Sequence, residues 1–324
     1  MLGPQLEYLR FESLALKNNL IGDPSEREYA VLLPPSYLSS PERKYAVVYL
    51  LHGLGKRENG HLDTIYILRA AYEEMRRARL GEMIIVAIDG STSFGGSYYA
   101  NSPTIGNFET YVVREIVGRV DTRYRTWPHA GSRGIAGFSM GGHGALKLSM
   151  KYPGVFSVVG SLSGSPMSMR YRKSLYKTAI QKYDRPVDLA DLRARIGFDK
   201  DWNAAAAYAK AAAFSPNAGR PPLYIDLPFE LGGADWDDKV WQLWWADDPL
   251  SLVAKNQRTL RGLKLLYLDS GDNETALGTE DFDRELVRYG ISHVHYVFRG
   301  DHTDLMVERH MRMLRYFSVS WDLF

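Results

Sequence analysis

Six short runs recur along the chain, at residues 45–51, 83–88, 133–138, 156–162, 263–269 and 293–298. Each is rich in β-branched and aromatic side chains and apolar nearly throughout. They are too short for helices and too uniformly apolar for strands with one wet face, so they predict strands buried on both sides. Between them, apolar residues fall at helical spacing over about 61–79, 108–124, 142–152, 280–289 and 305–316. This alternation predicts an α/β chain, a mostly parallel central sheet flanked by helices. Ahead of it, apolar-rich stretches at 6–16 and 29–33, broken by Gly22-Asp23-Pro24 and closed by Pro34-Pro35, predict an antiparallel hairpin at the sheet edge.

The rhythm stops over about 168–248. A basic segment comes first (Arg170, Arg172, Lys173, Lys177) and reads as a solvated helix face. An Ala-rich helix is expected over 203–214, with Asp201 or Asn203 as N-cap and Ser215-Pro216 as its stop. Because the strand pattern resumes at Leu263, the stretch is expected to be a helical cap-like insertion within one domain spanning 1–324. Of seven Trp, five (Trp202, Trp236, Trp241, Trp244 and Trp245) lie in it or at its edge. Trp236, Trp241, Trp244 and Trp245 are therefore candidates for the walls of an acyl or alcohol pocket, the alternative being a small core of the insertion's own.

The chemistry centres on Gly137-Phe138-Ser139-Met140-Gly141, a G-x-S-x-G string. Alone the pentapeptide is a weak signal. It gains weight from its place, directly after a buried-strand pattern and directly before a helix, where a nucleophile elbow must lie. A serine hydroxyl attacks only when a base takes its proton, and the base needs an acid to orient it. Both are expected after the serine, at the ends of later strands. Downstream histidines are His143, His293, His295, His302 and His310. His143 lies on the elbow helix and is expected to pack or touch substrate; His293 and His295 alternate along a strand, and His310 is inside the last helix. His302, in the loop Arg299-Gly300-Asp301-His302 between the last strand and the last helix, is the candidate base. The acid is expected in Asp269-Ser270-Gly271-Asp272-Asn273-Glu274, where Asp269 is still within the strand and spacing does not choose between Asp272 and Glu274. Oxyanion donors are expected from the Met140 N–H and from the turn after the first core strand, His52-Gly53-Leu54-Gly55, where Leu54 is the second donor and His52 fixes the turn.

The segments YLLHGLG near residue 50, GFSMGGHGA near 139, SGDNE near 272 and GDH at 300–302 resemble the putative esterase family of α/β-hydrolases. That family includes feruloyl esterases, S-formylglutathione hydrolases, enterochelin-esterase catalytic domains and antigen 85 mycolyltransferases. The resemblance covers about residues 29–316, least in 168–248. It implies an α/β-hydrolase fold and a serine carboxylic ester hydrolase of feruloyl-esterase type acting on a small-molecule ester. Feruloyl-esterase members often carry a Gly-Thr-Asn-Asp turn ending in the acid. Gly271-Asp272-Asn273-Glu274 stands there, so the resemblance puts the acid at Glu274, with Asp272 as runner-up. The alternatives are a thioesterase of S-formylglutathione hydrolase type or an acyltransferase on the same scaffold, and a non-catalytic binding module.

Other classes fare worse. Lys and Arg number 40 against 38 Asp and Glu, a net charge of +2, without the basic excess of a nucleic-acid binder. With no cysteine, thiolate metal sites and a cysteine nucleophile are excluded. His293-x-His295 beside Glu280, Asp281 and Asp283 is the best metal pattern but lacks a third ligand at standard spacing, so no metal or organic cofactor is expected. No run of about 18 apolar residues occurs, and Glu7 and Arg10 fall where a leader would be apolar. The expectation is a cytoplasmic protein without membrane insertion, or a secreted one if a leader has been removed.

Overall fold

The computed structural model describes residues 5–55, 64–164, 168–229, 237–274 and 278–321, the side chains of 168–172 excepted. Eight strands form one mixed sheet: β1 (Leu6–Glu12), β2 (Glu26–Leu32), β3 (Val47–Leu51), β4 (Ile84–Ile88), β7 (Arg133–Phe138), β8 (Val158–Leu162), β9 (Leu265–Gly271) and β10 (Val294–Phe298), in the order β1-β2-β4-β3-β7-β8-β9-β10. A separate two-stranded ladder joins β5 (Asn101–Ser102) to β6 (Gly106–Asn107). The expected N-terminal hairpin is there, β1 antiparallel to β2 at the sheet edge, and β2 antiparallel to β4. From β4 to β10 all pairings are parallel.

The helices are α1 (Ile65–Arg76), α2 (Phe108–Thr110), α3 (Val117–Arg123), α4 (Met140–Lys151), α5 (Ser168–Ile180), α6 (Leu189–Ile196), α7 (Trp202–Phe214), α8 (Asp238–Ala246), α9 (Pro249–Val253), α10 (Gln257–Arg261), α11 (Thr279–Arg288) and α12 (Met306–Ser318). A π-helical turn, Tyr111–Ile116, joins α2 to α3. None of the helices is long and apolar enough to cross a membrane among the described residues.

Strand alternation divides the core into two layers. Val48, Leu50, Ile85, Ala87 and Tyr267 face α1 and α12, meeting Leu68, Ala71, Met311, Leu314 and Phe317. Val47, Tyr49, Leu51, Val86, Ile135 and Leu268 face the other way, toward α4 and the helices of the insertion. Every residue of α4 from Met140 to Met150 is buried, because the helix lies between the sheet and those helices. The small residues Gly141, Gly142, Gly144 and Ala145 make such burial possible.

The stretch lacking strands is helical, as expected: the basic segment lies in α5, and the stretch holds more helices than that one and the Ala-rich one expected. The Ala-rich helix is α7, and Asp201 caps it by accepting from the Ala204 N–H at 3.1 Å. Helices α6 and α8 escaped prediction because each is short and buries only two residues, Leu192 and Ile196 in α6 and Val240 and Trp244 in α8, too few to make a visible stripe. Asp247, at the end of α8, pairs with Lys147 (3.6 Å) and Lys151 (3.2 Å) of α4, which fastens the insertion to the helix behind the elbow.

The tryptophans correct one expectation. Trp244 has no exposed surface; its indole N–H donates to Ser215 Oγ at 2.8 Å, and its ring packs on Tyr176 and Trp241. It is a core residue of the insertion, not a pocket wall, because an indole there buries a large area and finds a partner for its N–H. Trp241 is half-buried against the same core, and Trp245 is half-buried. Trp236 lies outside the described residues. Truncation Trp244→Ala is expected to cost about 3–5 kcal/mol. Urea unfolding measures it, and a wild-type midpoint would contradict the core assignment.

Candidate active site

In a parallel sheet the loops after successive strands leave from one edge. Here Leu51 pairs with Gly137, Phe138 with Leu162, Leu162 with Asp269 and Phe298 with Gly271. Register alone therefore gathers the His52-Gly53-Leu54 turn, Ser139, Ser163, Glu274 and His302 at that edge.

Ser139 links β7 to α4 with φ 54° and ψ −117°, a conformation that L-residues rarely adopt. Flanking glycines are what let the chain turn so sharply. A Cβ on Gly141 would lie 2.0 Å from the Leu51 carbonyl oxygen, and one on Gly137 would lie 2.4 Å from the Gly141 carbonyl carbon. The elbow is closed by the Ser139 N–H donating to the Leu162 carbonyl at 2.9 Å and the His143 N–H donating to the Ser139 carbonyl at 3.0 Å.

Three side chains stand in one hydrogen-bonded line. Ser139 Oγ lies 3.0 Å from His302 Nε2, and His302 Nδ1 lies 2.8 Å from Glu274 Oε1. Glu274 Oε2 accepts from the Gly271 N–H at 2.8 Å and from Ser163 Oγ at 2.8 Å. Burial would raise the Glu274 carboxyl, but the bonds from His302, Gly271 and Ser163 outweigh it and hold the group below its ordinary value. Its folded value is thus the lower one, so the stability it contributes is present above the usual carboxylate range and is lost as pH falls through the folded value. The carboxylate stays charged at neutral pH. The Phe138 ring packs on the imidazole, 4.7 Å between centroids. The His302 side chain keeps 34% of its surface exposed and that of Glu274 only 2%, so the line runs from a covered acid to an accessible base.

Asp272 stands outside this line. It is exposed, and its Oδ1 accepts from the Gly300 N–H at 2.9 Å, pinning the loop that carries His302. His143 is buried and packs between Tyr98 and Phe214. His310 is buried in α12, where burial pushes it down to about 4 and its Nδ1 meets the Met306 carbonyl at 2.7 Å. His293 and His295 both reach Asp283 Oδ1, at 2.8 and 3.2 Å, and His295 Nε2 lies 3.0 Å from Ser270 Oγ. Among the described residues no group of three or more His, Asp or Glu is disposed to hold a metal.

His52 fixes its turn. Its Nδ1 lies 2.8 Å from the Gly53 carbonyl and its Nε2 accepts the Gly90 N–H at 2.9 Å, so the ring is the neutral Nδ1–H tautomer. Gly53 lies against Ser139, since a Cβ there would stand 3.5 Å from the serine Cβ. Met140 is the first residue of α4, where a backbone N–H has no partner within its own helix. The Leu54 and Met140 side chains converge on Gly96: a Cβ there would come within 2.8 Å of Leu54 Cδ1 and 2.5 Å of Met140 Sδ.

Beyond Leu54, a cavity of about 190 Å³ opens beside Gly55, lined by Phe94, Gly95, Leu192, Ile196 and Phe198. Phe198 comes from the insertion and lies on Gly55 and Gly95, while the Gly55 N–H donates to the Gly95 carbonyl at 3.1 Å. Sequence reasoning passed over Ser163 and Arg309. Arg309 was detectable: it shares one helical stripe with Met306, His310, Met313 and Phe317, so a charged side chain stands where the α12 pattern calls for an apolar one.

Residues 24–289 match the protein family described as Putative esterase. An esterase of Mycobacterium tuberculosis, strain H37Rv, is 35% identical over 171 residues, 52% of this chain and 34% of that protein. The chain thus aligns with about a third of the length of that curated relative. Among solved structures, a ferulic acid esterase superposes with a TM-score of 0.64 at 19% identity, covering 98% of each chain. An S-formylglutathione hydrolase from Agrobacterium tumefaciens superposes with a TM-score of 0.60 at 17% identity, covering 98% of this chain and 95% of that one. At such identities the superpositions speak for the fold alone.

Proposed function

The chain belongs to the Putative esterase family of α/β-hydrolases, and on that premise we propose that it is a serine carboxylic ester hydrolase with Ser139, His302 and Glu274 as its catalytic triad. The observation that carries this reading is the unbroken line of hydrogen bonds from Ser139 Oγ through the imidazole to Glu274. Glu274 is the acid in preference to Asp272, because its carboxylate meets Nδ1 while that of Asp272 holds a backbone N–H.

In this reading Ser139 Oγ attacks the ester carbonyl carbon as His302 Nε2 takes its proton. Glu274 holds the Nδ1–H tautomer and stabilises the imidazolium that forms. The carbonyl oxygen, now negative, is held by the Leu54 and Met140 N–H groups, and the positive end of the α4 dipole adds to the attraction. Collapse expels the alcohol, which takes the proton from His302, and leaves an acyl group on Ser139. Water then attacks the acyl-enzyme with His302 as base again, releasing the acid and restoring the serine.

The insertion over about 168–248 is the cap in this account, one part of a single catalytic domain. Through Phe198 it walls the cavity beside the oxyanion turn, and that cavity takes one substituent of the ester. A volume of about 190 Å³ suits one aryl ring or a short acyl chain; most pockets for larger ligands exceed about 300 Å³. The substrate class is therefore small esters with an aryl or short-chain group.

Ser139→Ala is expected to lower turnover of p-nitrophenyl acetate by about 10³-fold or more. Glu274→Gln should likewise lose at least about 10²-fold, while Asp272→Asn stays within a few-fold of wild type. A crippled Asp272→Asn beside an active Glu274→Gln would reverse the assignment of the acid. Phe198→Ala should raise the kcat/KM ratio of octanoate over acetate p-nitrophenyl esters by about tenfold; an unchanged ratio would remove the cavity from the substrate path.

A further inference from the structure

Arg309 of α12 and Asp269 of β9 face each other with no exposed side-chain surface. The guanidinium spends its donors in three directions. Nε and Nη2 grip Asp269, at 3.1 Å to Oδ2 and 2.7 Å to Oδ1. Nη1 donates to the backbone carbonyls of His302 at 2.9 Å and Asp304 at 3.2 Å, holding the loop that carries the base. Nη2 also donates to Ser163 Oγ at 2.5 Å.

That last contact sets the direction of a proton. A guanidinium can only donate, so Ser163 Oγ accepts from it and the serine's one proton goes to the other neighbour, Glu274 Oε2, at 2.8 Å. With Oε2 occupied by Ser163 and by the Gly271 N–H, Oε1 is the oxygen left for His302 Nδ1. The imidazole is then the Nδ1–H tautomer and its Nε2 lone pair faces Ser139. Ser163 has φ 46°, a left-handed conformation unusual for serine. Its N–H donates to Asp269 Oδ1 at 3.0 Å, so Asp269 fixes both Arg309 and the residue that relays its effect.

We infer that Arg309 and Ser163, anchored on Asp269, are positioning residues that fix the His302 loop and the polarity of the chain of hydrogen bonds through Glu274. This rests on the reading of Ser139, His302 and Glu274 as the reacting groups. A buried ion pair that merely stabilises the fold would act on melting temperature and leave the chemistry of the folded enzyme alone.

The test compares Arg309→Lys, Ser163→Ala and Ser139→Ala on p-nitrophenyl acetate, with rates normalised to the folded fraction from circular dichroism. Lysine keeps the charge, but one ammonium cannot span Asp269, Ser163 and the two carbonyls. Arg309→Lys is expected to lower kcat about tenfold or more with KM within about twofold. Ser163→Ala removes a bond that stabilises the carboxylate, so Glu274 binds its proton and its imidazolium partner more tightly. Its kcat should fall about tenfold and the acid limb of its kcat/KM profile should move to higher pH. Wild-type kcat and an unmoved acid limb in Ser163→Ala would overturn the inference, and that variant decides alone if Arg309→Lys does not fold. The control separates the two levels. An active Ser139→Ala refutes the triad and this inference with it, whereas an inactive Ser139→Ala beside unchanged Ser163→Ala and Arg309→Lys refutes only the inference.

Discussion

The Leu51 carbonyl oxygen would lie 2.0 Å from a Cβ on Gly141, and the remainder of the site depends on that approach. Because the start of α4 can settle onto the end of β3, Ser139 is lifted out of the strand in its left-handed conformation, and the turn after Leu51 is brought against the serine. The same contact sets the N-terminus of α4, whose first N–H groups have no acceptor within the helix, beside the serine. Any side chain at 141 would push helix and strand apart and dissolve all three relations together.

Around this elbow, polar groups are placed by shared backbone register and then fixed by bonds between loops. The parallel pairing of β7, β8, β9 and β10 brings Ser139, Ser163, Glu274 and His302 to one edge. Asp272 pins the Gly300 N–H, Arg309 holds the carbonyls of His302 and Asp304, and His52 ties the opposite turn to Gly90. At Glu274 the bonds from His302, Gly271 and Ser163 outweigh the desolvation that burial imposes. The insertion meets the same structure through Asp247 on Lys147 and Lys151, through Phe198 on Gly55 and Gly95, and through Phe214 on His143.

Much of the fold was legible because buried parallel strands leave a plain mark. The runs at 133–138 and 293–298 differ from β7 and β10 by at most one residue, and the edge hairpin was visible from its turn residues. In the insertion, α7 was legible from its Asp201 cap and its Ser215-Pro216 stop although it is buried on almost every side and carries no stripe, whereas α6 and α8, with two buried residues each, left no such mark. For Trp244 the sequence left two places open for a related reason: the area that suits an indole to a pocket suits it equally to a core, and its full burial with a Ser215 partner separates the two. In the candidate site, Ser139 and His302 were legible from the order of elements. Sequence spacing left Asp272 and Glu274 open, because two carboxylates two residues apart on one loop differ only in where each side chain turns. Ser163 left no mark of its own, since its part depends on contacts 106 to 146 positions away.

Everything proposed for the site turns on Ser139 as a nucleophile activated through His302. Mass spectrometry after brief exposure to a fluorophosphonate tests it most directly, because that electrophile is captured fast only by an activated hydroxyl. A single adduct is expected on the peptide carrying Ser139, nearly abolished in His302→Ala. An adduct on another residue, or equally fast labelling of Ser139 without His302, would contradict it.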